Sequence, residues 1–248
     1  MKIKNLKIQY WEKNIFNNLD LEIPENKFTI ILGKNGSGKS SLAKAMMNII
    51  KYKGSITIKD KDIKSFKIKQ RARKFAYMPQ KIEFDNQLTV KELLEFARHP
   101  YSNFLSLISG KDKKIIKHWS DKLNITKDLN QRINNLSGGQ RQRVILTSVL
   151  IQDTEYLILD EPNNNLDIKY RIELLEILSK LKNKTIILIS HDINNAIRYS
   201  DHLIVISNKK IIYSGKPKEI NKKIIEDSFN VLVKKDENWI FSQKPKNN

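Results

Sequence analysis

The segment Gly33-Lys34-Asn35-Gly36-Ser37-Gly38-Lys39-Ser40 stands between an apolar run, Phe28-Thr29-Ile30-Ile31-Leu32, and a stretch of helical spacing from Ser41 to Ile50. It matches the pattern G-x-x-x-x-G-K-[ST], and strand, loop and helix arrive in the order that pattern requires. No other feature of the chain restricts its fold as strongly. The glycines let backbone N–H groups converge on phosphate oxygens, and the start of the following helix adds partial positive charge where an anion sits. The spacing predicts a polyphosphate cradle made by Gly33, Asn35, Gly36, Ser37, Gly38, Lys39, Ser40 and Ser41. In it the Lys39 ammonium bridges the β- and γ-phosphates and the Ser40 hydroxyl binds Mg²⁺. A glycine-rich turn with no ligand is the competing reading, and the matching flanks argue against it.

A second apolar run, Tyr156-Leu157-Ile158-Leu159, ends in Asp160 and Glu161. A carboxylate at the carboxyl end of a buried strand is costly unless a cation lies nearby, and Mg²⁺ would be that cation for Asp160. Glu161, one residue further out, is expected to orient or deprotonate the attacking water, its side chain leaving the strand on the side opposite Asp160. Taken alone, Asp160-Glu161-Pro162 could equally cap a strand and begin a turn. The phosphate loop upstream favours the chemical reading.

At 248 residues and 40% hydrophobic composition the chain supports a substantial core. No run approaches the eighteen or so apolar residues that span a bilayer. The start, Met1 to Ile8, alternates charge and hydrophobe as an edge strand does and lacks the apolar stretch of a signal peptide, so a cytoplasmic location is expected. Zero cysteines exclude disulfides and thiolate metal sites. The net charge of +19 admits nucleic acid or an anionic membrane surface as partner. It is spread as Lys among Asn and Ile with few aromatics interleaved, so a compositional bias accounts for it about as well, and no nucleic-acid partner is expected. Attraction to an anionic cytoplasmic leaflet fits better, at roughly 1 kcal/mol per basic residue near the surface.

Short apolar and period-two runs predict strands at Ile3 to Gln9, Phe28 to Leu32, Ser55 to Ile58, Phe75 to Met78, Tyr156 to Leu159, Thr185 to Ile189, Leu203 to Ser207 and Lys210 to Tyr213. Helical spacing covers Ser41 to Ile50, Val90 to Ala97, Lys113 to Leu123, Gln140 to Ile151, Ile168 to Lys180 and Ile193 to Tyr199. Between about Ile82 and Gly139 only helical segments are evident, which reads as an inserted helical subdomain. A final strand or helix edge is expected at Trp239-Ile240-Phe241.

Leu136-Ser137-Gly138-Gly139-Gln140 resembles the signature motif of the ABC ATPase family. Ser137 can cap a helix beginning near Gln140, and the two glycines let bare N–H groups approach a second phosphate. In that family the motif serves the ATP held by the opposite subunit, which implies nucleotide contacts from Ser137, Gly138, Gly139 and Gln140 and a homodimer closing over two ATP. Further motifs match in order from Tyr10 to Gly215. Gln80, in Tyr77-Met78-Pro79-Gln80, resembles the glutamine that touches Mg²⁺ and begins the helical subdomain. Asn165-Leu166-Asp167 resembles the loop crossing the dimer interface, with Asp167 near the nucleotide. His191 resembles the switch histidine that contacts the γ-phosphate, and Tyr10, with Trp11 as rival, sits where an aromatic ring stacks on adenine. Catalysis is thereby expected from Glu161, His191 and Lys39, and metal contact from Ser40, Gln80 and Asp160. Asn163 in place of the more usual Thr, and Lys34 in place of a commoner Pro, depart from the family pattern without removing a group needed for hydrolysis.

The resemblance implies an α/β fold, a P-loop NTPase core of ABC type with an antiparallel β subdomain and an inserted α-helical subdomain. Residues 1–81 would be the core with the β subdomain, 82–139 the helical subdomain, 140–220 the rest of the core and 221–248 a C-terminal extension. Phe96-Ala97-Arg98-His99-Pro100-Tyr101, Gln152-Asp153-Thr154, Asn164-Asn165-Leu166-Asp167-Ile168-Lys169 and Arg198-Tyr199-Ser200-Asp201-His202 are similar to cassettes that power bacterial uptake of iron-siderophore, haem and cobalamin, the siderophore branch in particular. The implied partners are separately encoded membrane permease subunits and a substrate-binding protein, with peripheral contact at the cytoplasmic membrane face. An export or lipoprotein-release cassette, or a soluble ATPase acting on ribosomes or DNA, is the alternative.

Overall fold

The computed structural model describes residues 1–11, 13–85, 87–101, 108–162, 167–235 and 239–243, with Lys235 and the last five by backbone alone. The apolar positions of the first strand, β1 (Lys2–Tyr10), are Ile3, Leu6 and Ile8, all buried. That spacing slips by one residue from strict alternation. The slip is absorbed at Asn5, which takes a left-handed φ of 50° and whose N–H donates to Asp20 Oδ1 at 2.6 Å. A local irregularity of this kind restores all three side chains to one face.

Beside β1 runs β2 (Lys13–Glu22), antiparallel. After β3 (Phe28–Leu32) and α1 (Lys39–Met46), β4 (Lys53–Ile58) pairs with the other side of β1, and β5 (Lys61–Asp62) extends β4. The four-stranded order is β2-β1-β4-β5. So β1 is an interior strand and not the edge strand its charge alternation suggests. The strand that covers it, β2, is hidden in sequence because Asn17, Asn18 and alternating charges read as loop.

The chain then forms α2 (Ile68–Lys74), β6 (Phe75–Met78), α3 (Val90–Ala97), α4 (Gly110–Lys122), α5 (Gly138–Leu150), β7 (Tyr156–Asp160) and α6 (Ile168–Lys180). It continues through β8 (Thr185–Ser190), α7 (Ile193–Tyr199), β9 (His202–Ser207), β10 (Lys210–Gly215), α8 (Lys222–Phe229) and a hairpin of β11 (Val231–Lys235) and β12 (Trp239–Gln243). The expected strands and six expected helices all form, with ends shifted by a few residues. Not anticipated were β2, β5, β11, α2 and α8. In α2 no residue is buried, so it carries no apolar period to read.

Two compact units result, Met1–Ser65 with Leu175–Asn248, and Phe66–Leu174. In the first, β3 lies in parallel between β8 and β9, and β10 pairs antiparallel with β9. β3 and β8 are buried at every position, the pattern of parallel strands covered on both faces. In the second unit β6 and β7 pair in parallel, and Val90, Leu94, Ile125, Ile133, Leu136, Val144 and Ile151 close a helical core. Between Ile82 and Gly139 the described residues form no strand, only the single bridge Thr89 to Arg132.

That helical core is pinned by Arg98, 4% exposed. Its Nε donates to Asp112 Oδ1 at 2.7 Å and its Nη1 to the Ile151 carbonyl at 2.7 Å, while Tyr101 covers the guanidinium at 4.1 Å. Burial raises the Asp112 carboxyl pKa, but the Ser109 hydroxyl and N–H and the Arg98 charge outweigh it and leave it below the usual carboxylate value. Breaking such a pair leaves an uncompensated buried charge, worth about 3 to 5 kcal/mol.

Candidate functional site

In the first unit β3 delivers the chain into the loop Gly33 to Gly38 and α1 takes it away. Each glycine there is needed for its own reason. A Cβ on Gly33 would lie 2.4 Å from the Ile206 carbonyl oxygen; Gly36 has φ +78° with open space before it; Gly38 has φ +103° and its Cβ would meet the Phe16 ring at 2.6 Å. These are close approach and left-handed geometry, the two things a side chain forbids.

Gly38 is also the N-cap of α1, and no side-chain cap closes that helix. The Gly38 N-cap thus offers no side-chain oxygen to the first-turn N–H groups, the arrangement of a ready anion site. Lys39 is 4% exposed, and its Nζ donates to the carbonyls of Gly33 at 2.7 Å and Lys34 at 3.0 Å. The Ser37 hydroxyl is buried beside Gly33 and has no hydrogen-bond partner among the described residues. Ser40 and Ser41 are half-buried on the first turn, and Asn35 is exposed at the tip of the loop. An unclosed helix start, a buried ammonium and an orphaned hydroxyl are what a polyphosphate with its Mg²⁺ would complete, so the residues fit that group.

Also in this unit, His191 is exposed directly after β8, and Ser190 Oγ accepts from the Asp192 N–H at 3.0 Å. Tyr10 is 39% exposed and Trp11 97%, at the tip of the β1–β2 hairpin.

In the second unit Asp160 ends β7, only 1% exposed. The strand stops there. Glu161 adopts a left-handed φ of 52°, so the alternation expected to turn it away from Asp160 no longer sets its direction. Instead Gln80, two residues past the end of β6, donates from Nε2 to Glu161 Oε2 at 2.6 Å. Two residues 81 apart in sequence are thus joined as amide and carboxylate, a contact that spacing gives no means of finding.

The signature segment forms a reciprocal cap. α5 begins at Gly138, two residues before the expected Gln140. Ser137 Oγ accepts from the Gln140 N–H at 3.3 Å, and Gln140 Oε1 accepts from the Ser137 N–H at 3.0 Å. The S-x-x-Q spacing carries that signal. Gln140 Nε2 further donates to the buried Asp128 at 3.4 Å. Its side chain is thus held by both the cap and Asp128, while Ser137 and Gly138 remain exposed. Asp167 caps α6, its Oδ1 accepting from the Tyr170 N–H at 2.9 Å. Asn163, Asn164, Asn165 and Leu166 lie outside the described residues.

Residues 16–164, more than half of the chain, match the family model described as ABC transporter. The chain is 36% identical over 234 residues to the petrobactin import ATP-binding protein FpuD of Bacillus anthracis, covering 92% of this chain and 86% of the relative. It is 35% identical over 233 residues to the achromobactin transport ATP-binding protein CbrD of Dickeya dadantii, covering 92% and 87%. Among solved structures, the dimeric post-hydrolysis state of an ATP-binding cassette bound to ADP and Pi superposes with a TM-score of 0.78 at 26% identity, covering 88% of this chain and 99% of that one.

Proposed function

We propose, on the premise that the chain belongs to the ABC transporter family, that it is the ATP-hydrolysing subunit of an importer for an iron complex, most specifically a ferric siderophore, acting through a separately encoded permease. The observation that carries the ATPase reading is the open start of α1, where a buried Lys39 and unclosed N–H groups await a polyphosphate. The substrate class rests on the relatives, which serve petrobactin and achromobactin.

In this reading Gly33, Asn35, Gly36, Ser37, Gly38, Lys39, Ser40 and Ser41 receive the ATP phosphates, and Lys39 exchanges the Gly33 and Lys34 carbonyls for phosphate oxygens. Ser40, Asp160 and Gln80 would hold Mg²⁺, which when bound neutralises charge on the phosphates. Glu161 accepts a proton from the attacking water, held in orientation by the Gln80 amide. His191 senses the γ-phosphate. Tyr10 stacks on adenine, favoured over Trp11 because it sits inside the strand and is already partly covered. Ser137, Gly138, Gly139, Gln140 and Asp167 face the nucleotide of a second copy, with Gln140 acting through the cap it forms. ATP thereby shifts the pair between open and closed states. Segment 82–139 is the helical subdomain that meets the permease at the cytoplasmic membrane face, between core segments 1–81 and 140–220, with 221–248 as extension; a substrate-binding protein delivers cargo outside.

The test has two arms. Phosphate release from ATP by the purified chain should fall about 10²- to 10⁴-fold in Glu161→Gln with nucleotide binding retained; undiminished release removes Glu161 from the chemistry. A deletion strain should lose uptake of at least one radiolabelled ferric siderophore; normal uptake of all of them overturns the iron assignment while leaving the ATPase intact.

A further inference from the structure

A cleft of about 400 Å³ in the second unit is lined by Asp121, Asn124, Thr126, Lys127, Arg143 and Tyr170. None of these belongs to the nucleotide machinery described above. The walls are the C-terminal end of α4, the 3₁₀ turn Thr126–Asp128, α5 and the first turn of α6.

Its charges are unevenly satisfied. Asp121, the one carboxylate in the lining, has both oxygens engaged: Oδ1 accepts from the Thr126 hydroxyl at 2.6 Å and Oδ2 from Lys117 Nζ at 2.9 Å. Those donors, Thr126 first, hold its carboxyl below the usual range, so it stays ionised and occupied by its own neighbours. Arg143 has no carboxylate partner among the described residues. Its guanidinium instead lies over the Tyr170 ring at 4.1 Å, and its Nε is buried without a hydrogen-bond partner. Lys127 is exposed on the same rim with no ion pair among the described residues. Two cations thus border one concavity in which the one carboxylate among the described lining residues, Asp121, is already paired, and one cation is fixed by stacking with a desolvated donor. An Arg fork held in place by a ring loses little freedom on binding a planar or tetrahedral oxyanion, which makes it a stronger anchor than a loose surface lysine.

We propose that this cleft binds a small multivalent oxyanion, the phosphoryl group of a metabolite or a polycarboxylate, with Arg143 as the anchoring fork, Lys127 as the second charge and Asn124 and Tyr170 as neutral hydrogen-bonding groups. The site lies beyond the ATP-hydrolysis reading and does not depend on it. Arg143 lies in the middle of the helix that begins at Gly138, and Tyr170 in the first turn of the helix capped by Asp167, so an occupant ties α5 to the start of α6.

The test uses the full chain carrying Lys39→Ala, which mutes the phosphate loop, in isothermal titration against pyrophosphate and, separately, citrate. Binding of one equivalent of either probe is expected; pyrophosphate alone marks a phosphoryl site, citrate alone a polycarboxylate site. Adding Arg143→Gln should weaken it at least about tenfold, the scale of one lost charge-assisted hydrogen bond. Arg143→Lys should fall between the two. Should Arg143→Gln fail to fold, Lys127→Glu decides the matter, because Lys127 is exposed and its reversal should abolish the measured heat. No binding of either probe at millimolar concentration, or binding indifferent to Lys127→Glu, overturns the proposal.

Discussion

The two helices that begin at glycine-rich segments, α1 and α5, solve the same problem in opposite ways. Every helix start leaves four backbone N–H groups without partners. At α1 the N-cap is Gly38, which has no side chain to offer, and the first turn is left open. At α5 the N-cap is Ser137, and Ser137 and Gln140 satisfy one another's N–H groups. The first start is incomplete without an anion, whereas the second is self-sufficient and can offer Gly138 and Gly139 to a ligand with its frame already built. A glycine-rich segment is therefore not one kind of site: what the N-cap residue supplies decides whether the helix waits for a phosphate or merely presents to one.

Gly38→Ala should break the open start most completely. Its φ of +103° and the 2.6 Å approach to Phe16 are both forbidden to a methyl group. Nucleotide binding should be lost and stability should drop by about 1 to 3 kcal/mol, read by titration with ATP and by thermal unfolding. Unchanged binding would show that the loop does not depend on this backbone geometry. Lys39→Ala should come next, weakening ATP binding by roughly 1.5 to 3 kcal/mol, about tenfold to more than a hundredfold, with a smaller effect on folding.

Ser137→Ala should act the other way round. It should cost about 1 kcal/mol of stability through the lost cap, with a Tm lowered by a few degrees, and Ser137→Asp should recover most of it. If Ser137→Ala left the Tm unchanged, the self-sufficient start would be refuted. The smallest effect sharpens the contrast within the second unit. The α3 start uses the same box, Thr89 with Glu92, and the Thr89 hydroxyl and N–H pull the Glu92 carboxyl below its usual value of 4.5. A depressed carboxyl gives its stabilisation in full above pH 4.5 and loses it as pH falls through the lower folded value. The Tm advantage of the wild type over Glu92→Gln should therefore shrink on acidification below pH 4.5, while Gln140, having no charge to lose, gives α5 no such dependence. A difference constant down to pH 3 would contradict this.

Much of the site was legible because its parts are local. The strand, glycine loop and helix from Phe28 to Met46 follow one another within a few residues, and the buried run ending in Asp160 declares itself by composition. Local features failed where a partner was remote. The edge position expected for β1 came from reading its alternation without β2, whose asparagines imitate a loop. The orientation expected for Glu161 assumed that β7 continued past Asp160, but the backbone turns left-handed there.

What the chain alone determined is the chemistry: the order of glycines, lysine and serine that can hold a phosphate, the paired carboxylates, and the signature segment that identifies its family. These are contained in short stretches, and short stretches fix backbone propensity and donor count without help. Only the tertiary structure decided which groups are already spoken for. Gln80 reaches Glu161 and Arg98 clamps Asp112 to the Ile151 carbonyl, while Asp121 is filled by Lys117 and Thr126 and Arg143 meets no carboxylate among the described residues. Most of those pairings join residues of different elements, and they depend on packing geometry that no spacing along the sequence encodes.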